Sequence, residues 1–372
     1  MKKFIVILIL LMLFSLPVSA ADTDDPYAQQ YEFSGADNLE NALPKDTREQ
    51  LKEFGIDPKN KTWVNEITPQ NVFAHIIDFI ASGAKIPLRA GGAVMGIILI
   101  SAAFPALSAD GKVFGPAQFA ASLSVALTIA YPVWNCVTAA VAAIKGCGTF
   151  MLSFIPVFAA IVSVSGGAVT AVSMSALLLG AAEFVASAAA FAVLPIMGSY
   201  LAMSLTSSIS PLIASSGIAE GIRRVAFWIL SLVSTVFVGI LGIQTAVNSA
   251  ADNLALKTTR FIVGTSVPIA GSALSEAVST ISSSLGLLRS SVGIYGVVAL
   301  AAILLPIIAE LVLWRLILAI SVMVSEIFSQ GTLSKILKAV DMMLSLLVAV
   351  TLLVGAMFII SLTVVVSAGK AL

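Results

Sequence analysis

Residues 292–320 read VGIYGVVALAAILLPIIAELVLWRLILAI, and Glu310 and Arg315 are the only charged side chains in the run. A helix crosses the ~30 Å of bilayer hydrocarbon in about 20 apolar residues. This stretch is therefore long enough to span with residues to spare. Working outward from it, comparable runs predict seven more crossings, giving eight at about 90–108, 117–143, 148–165, 169–191, 193–211, 225–247, 292–320 and 338–367. The fourth and fifth, joined at Val193-Leu194-Pro195 with almost no polar loop, also read as one broken helix. The chain is 59% hydrophobic and 11% charged, whereas about a quarter of a soluble domain's residues are charged. The expected fold class is all-α: a polytopic transmembrane helical bundle of about eight spans with a small helical N-terminal extracytoplasmic segment.

The N-terminus supports that arrangement. Lys2 and Lys3 precede an apolar run from Phe4 to Leu16, a Pro17 break and the small residues Val18-Ser19-Ala20. This is the pattern of a signal peptide over 1–20, cleaved after Ala20; retention as an uncleaved anchor is the rival reading. Twelve of the twenty Asp and Glu residues lie between Asp22 and Asp78. Residues 21–89 therefore form a polar extracytoplasmic stalk or ectodomain, too short to hold much core of its own, and 90–372 form the membrane domain. With Ala21 outside and eight crossings, Arg223, Arg224, Lys335 and Lys338 fall in the cytoplasm, as the positive-inside rule requires. Lys257, Arg260 and Arg289 fall on the outer side and do not fit it.

That misfit draws attention to 255–291. Leu274, Val278, Ile281, Leu285 and Leu288 recur at three- and four-residue steps, with Ser275, Glu276, Ser279 and Ser282 on the other positions. The spacing predicts an amphipathic helix, either lining a wet crevice or re-entering the membrane, or lying at the interface.

Little in the chain points to catalysis. The one histidine, His75, lacks partners at the spacing of a metal site or a triad. There is no phosphate-cradling glycine loop, and a formal net charge of zero argues against nucleic acid. No cofactor is expected. Cys136 and Cys147 read as small buried hydrophobes, with a disulfide left open. Glu183, in mid-span, is costly in lipid and must face protein or water. It either lines a pathway or makes an interhelical hydrogen bond. Glu310 and Arg315, five residues apart, point about 140° apart and do not pair along their own helix. Arg315 is expected to snorkel to the helix end and Glu310 to seek a partner on another helix. Ser163, Ser165, Gly166 and Gly167 provide either close helix packing or a backbone-lined constriction.

Four strings carry a resemblance. They are Ser163-Val164-Ser165-Gly166-Gly167-Ala168, then Leu256 to Gly264 leading to Val267-Pro268-Ile269, then Leu288-Arg289-Ser290-Ser291-Val292-Gly293-Ile294-Tyr295-Gly296, and the terminal Ser361 to Gly369. In order and spacing the chain resembles the stage III sporulation protein AE family over about 90–370, departing from it at Thr259, where alanine is usual. The resemblance implies a non-enzymatic, multi-pass protein of the mother-cell membrane surrounding the forespore. It implies a channel or secretion-like complex with the other proteins of the stage III sporulation A operon, including its ATPase and ring-forming bitopic proteins, and with a forespore-side partner. A stand-alone secondary transporter using Glu183 and Glu310, and a scaffold recruiting ring proteins, are the alternatives.

Overall fold

The computed structural model describes residues 26–60, 63, 83–107, 114–164 and 271–368, and a discontinuous set between 180 and 239 that includes 195–203 and 224–229. Every described element is helical: α1 (Pro26–Phe33), a 3₁₀ helix η1 (Ala36–Ala42), α2 (Lys45–Glu53), α3 (Lys85–Leu107), α4 (Phe114–Val164), α5 (Gly271–Ile327) and α6 (Gly331–Ala368).

Four helices are long and apolar enough to cross a membrane: Lys85–Phe104, Gly115–Ser163, Ser283–Ile327 and Gly331–Thr363. The expectation of about eight spans is thus not met among the described residues. One cause is specific. The crossings expected at 117–143 and 148–165 are a single helix, α4, because Lys145-Gly146-Cys147 does not turn the chain. Lys145 simply points outward, and Gly146 is a point of close contact, with Pro44 and Ile303 against it. Of the crossings expected at 169–191, 193–211 and 225–247, the first lies largely outside the described residues, and only about half of each of the other two is described, as interrupted stretches of helix.

At 1.5 Å per residue, α4, α5 and α6 are about 77, 86 and 57 Å long. Pro132 and Pro156 in α4 and Pro306 in α5 lie inside their helices. Each removes one backbone hydrogen bond, a loss that packed neighbours in membrane helices accommodate.

Paired contacts fix the register. α4 runs antiparallel to α5, with Phe154 against Gly296, Gly146 against Ile303 and Cys136 against Glu310. α6 returns antiparallel along another face of α5, with Val366 at Gly293, Leu362 at Gly296, Gly355 at Leu304 and Asp341 at Arg315. α3 runs parallel to α5, Gly91 touching Ile317 and Ser101 bonding to Gln330. The shared core is apolar: Phe150, Phe158, Leu300, Leu311, Leu344 and Leu347 are all fully buried.

The chain reverses between α5 and α6 in three residues. Gln330 N–H bonds to Ser325 C=O at 2.8 Å and Ser329 N–H to Glu326 C=O at 3.0 Å, the two bonds of a Schellman motif. Its left-handed residue is Ser329, at φ 55°, where glycine is the unstrained choice. α2 ends in the same way, with Ile56 N–H to Leu51 C=O and Gly55 N–H to Lys52 C=O, both 3.0 Å. There the left-handed position is held by a glycine, Gly55, at φ 69°.

The polar N-terminal segment does not stand alone. η1 packs on α4, and α1 and α2 pack on α5; Tyr27, Tyr31, Leu39, Leu43 and Leu51 are buried with the main core. Residues 26–60 with Trp63 form a strap along the α4–α5 flank. The strap carries eleven Asp, Glu, Lys and Arg side chains between Pro26 and Asn60. At roughly 2.5–3.5 kcal/mol for each charged group at the bilayer centre, lipid around it would cost more than the ~5–15 kcal/mol that holds an ordinary domain folded.

Candidate functional site at the Leu288–Gly296 junction

The strap, α4 and α6 meet α5 over nine residues, Leu288 to Gly296. Here α5 is buried nearly all round, with only Ile294 counted as exposed, because each helical face has a different neighbour.

Toward the strap, Ser291 Oγ lies 2.7 Å from Trp63 Nε1 and 2.8 Å from Tyr27 Oη, and Tyr27 Oη is also 2.8 Å from the Pro58 carbonyl. The donors can be assigned by elimination. Trp63 has only an N–H to give and Pro58 only a carbonyl, so Tyr27 donates its single proton to Pro58. Ser291 accepts from Trp63 and donates to Tyr27. The result is a buried, fully satisfied chain of hydrogen bonds whose members polarise one another. Two turns earlier on α5, Ser284 donates to Gln30 Oε1 at 2.9 Å. Ser284 and Ser291, seven residues apart, share a helical face. Tyr31 donates to the Ala36 carbonyl at 3.0 Å, and burial, then nearby Tyr295 and Glu40, pushes its phenol above the ordinary range.

Toward α4, Tyr295 sits between aromatic rings. Trp63 meets it edge-on at 6.3 Å and 87°, and Phe150 at 6.5 Å and 63°. Phe150, Phe154 and Phe158 continue the row along α4. Such pairs add about 0.5–1.5 kcal/mol each beyond burial.

Toward α6, Gly293 and Gly296 permit close approach. A Cβ on Gly293 would lie 2.8 Å from Val366 Cγ2, and one on Gly296 would lie 2.6 Å from both Leu362 Cδ1 and Phe154 Cε2. Arg289, 9% exposed, donates through Nη2 to the Val366 carbonyl at 3.3 Å, two residues before α6 ends. The last carbonyls of a helix lack internal partners and carry negative partial charge, so a guanidinium there is stabilising. Arg289, a misfit in the eight-crossing reading, is thus used as a helix cap. Its Nε has no partner among the described residues.

The sequence-predicted residues fall as follows. Glu310 lies on α5, half-buried, with Oε1 3.7 Å from Cys136 Sγ of α4. Arg315 has a partner on another helix: its Nε donates to Asp341 Oδ1 of α6 at 3.0 Å, the two side chains 39% and 31% exposed. Ser275, Ser279 and Ser282 lie in the helical backbone of α5, which continues without a break into 292–320; their side chains are outside the described set. Glu183, Ser165, Gly166, Gly167 and His75 lie outside the described residues. Among the described residues no three His, Cys, Asp or Glu side chains are grouped to hold a metal ion. Sequence reasoning did not single out Ser291, Tyr27, Trp63 or Asp341. The one signal available for Asp341 was its position as the last charge before a long neutral run.

The junction coincides with the third of the four strings quoted above, and the comparison with known proteins extends the match well beyond it. Residues 61–369 match the family described as stage III sporulation protein AE. The chain belongs to that family. The match begins just after the strap's helices and takes in all four apolar helices. A curated relative, stage III sporulation protein AE of Bacillus subtilis (strain 168), is 28% identical over 229 residues, 61% of this chain and 57% of the relative. The alignment thus spans little more than half of that relative's length. No solved structure matches the chain.

Proposed function

We propose that this member of the stage III sporulation protein AE family is a membrane-embedded, non-enzymatic subunit of the complex that joins mother cell and forespore. It works with the operon's ATPase, its ring-forming bitopic proteins and a forespore-side partner. Its mature N-terminal segment faces the space between the two membranes. The observation that carries the reading is the family match over 61–369, on a chain with four helices apolar and long enough to cross a bilayer.

A chain with this role is required for late forespore gene expression and is extracted from membranes together with its partners. The test replaces the gene in a spore-forming host with a tagged copy. Loss of late forespore gene expression on deletion, with co-purification of ATPase and ring proteins in mild detergent, supports the reading. Normal sporulation in the deletion strain, or solute transport by the purified chain alone in liposomes, overturns it.

The scaffold reading has one specific observation behind it. The contact faces of α4, α5 and α6 are closely packed and mostly apolar in the described bundle, which suits a rigid frame. Neutralising Glu310 as Gln distinguishes the two: intact sporulation favours the frame.

A further inference from the structure

The strap touches α5 at Ser284 and Ser291 and reaches, through Pro44 on Gly146, the height of Ile303. That is about 28 Å of helix at 1.5 Å per residue. At the same height α6 presents a different surface. Its backbone runs alongside from Gly355, opposite Leu304, to Val366, opposite Gly293. No charge interrupts α6 between Met342 and Ala368, and its exposed stripe is Leu352, Ala356, Ile360 and Thr363, the Thr363 hydroxyl being satisfied by the Ile359 carbonyl of its own helix at 2.7 Å.

The two flanks need different surroundings. If this whole height stood outside the bilayer, α6 would keep only Met342 to Leu353 or so for the hydrocarbon, about 18 Å against the ~30 Å to be crossed. If it were wrapped in lipid on all sides, the charged strap would be buried in acyl chains, at a cost beyond the stability of the fold.

We infer that the α4–α5–α6 bundle is a wall with two solvents: between Ser291 and Ile303 its strap-covered flank borders an aqueous recess at membrane depth, while the α6 flank borders acyl chains. The strap is the lining of that recess. Tyr27, Tyr31, Leu39, Leu43 and Leu51 cover the apolar helices, and the strap's outer surface carries its carboxylates and ammonium groups, with Phe33 and Phe54 exposed among them. The inference rests on the helices being in a membrane, not on the chain's part in a conduit.

Single cysteines test it in the full-length protein in opened membrane fragments, where a membrane-impermeant thiol reagent reaches both aqueous sides. Glu53→Cys and Lys59→Cys report the strap, Ala356→Cys and Ile360→Cys the opposite flank; all four positions are exposed. Cys136 and Cys147 are buried, and their silence checks that each variant is folded. The thiolate is the reactive form, and each unit by which apolar surroundings raise a thiol's pKa removes about tenfold of it. The strap cysteines are expected to react at least about tenfold faster than the α6 cysteines, each normalised to its rate in denaturing detergent. Equal rates at all four positions place the whole height in one solvent and overturn the inference. Unreactive strap cysteines overturn it as well.

Discussion

Gly296→Ala adds one methyl group where α5, α4 and α6 converge. The new Cβ would lie 2.6 Å from Leu362 Cδ1 and Phe154 Cε2, and 2.8 Å from Phe154 Cζ, so something must move. Phe154 has little room, because Phe150 and Phe158 flank it at 5.6 and 5.5 Å. Overpacking of this kind costs about 1–3 kcal/mol, and the better helix propensity of alanine returns at most about 1 kcal/mol. The net expectation is a loss of about 1–2 kcal/mol. Gly286→Ala, ten residues earlier on the same helix, provides the control. A Cβ there meets nothing within 4 Å, so only the propensity gain of up to about 1 kcal/mol remains. The buried thiols of Cys136 and Cys147 serve as built-in reporters. A fluorogenic maleimide in detergent reads their exposure as the protein is heated. Gly296→Ala should unfold at lower temperature than wild type, and Gly286→Ala at equal or higher temperature. If Gly296→Ala is as stable as Gly286→Ala, the close approach of the three helices at Gly296 is wrong.

Ser291→Ala removes the hydroxyl that serves both Trp63 and Tyr27 and leaves a buried N–H unpaired, a loss of about 1–3 kcal/mol. Limited proteolysis should then cut residues 26–60 faster while the long helices stay intact; unchanged cutting contradicts the hydrogen-bonded chain. Ser329→Gly relieves a left-handed non-glycine residue and should raise stability by about 0.5–1 kcal/mol in the same thermal assay, an effect absent if the turn is not strained. Tyr31 has a folded-state value raised above its ordinary one, so its contribution is complete below about pH 10 and declines as the pH rises past that. Proteolysis of the strap should accelerate at alkaline pH in wild type and less so in Tyr31→Phe; identical profiles remove Tyr31 from the argument.

The apolar runs at 292–320 and 338–367 were legible because length and composition alone identify a membrane helix. The division at Lys145-Gly146-Cys147 was misread for a physical reason. A lysine beside a glycine looks like a loop when the rest of the chain is unseen, but a glycine is equally what a helix needs where Pro44 and Ile303 press against it. Arg289 shows the same limit. From the sequence it is only a misplaced charge beside an apolar run, and the fold reveals the end of α6 beside it. The strap's attachment was illegible because it depends on pairings such as Tyr27 with Ser291, 264 residues apart. Nothing in local periodicity encodes that contact. The string Leu288–Gly296 was noticed for its resemblance, and the structure supplies its physical content: a capping cation, a bonding hydroxyl, two glycines and an aromatic within nine positions of one helix.

Cys136 and Cys147 sit on the unbroken helix α4, eleven residues and so about 16 Å apart. A disulfide requires Cα atoms within about 7 Å, so these two thiols have no means of joining while α4 stays helical. The folded chain therefore gains no internal covalent staple in an oxidising compartment and loses none in a reducing one, so its stability rests on packing and hydrogen bonds alone.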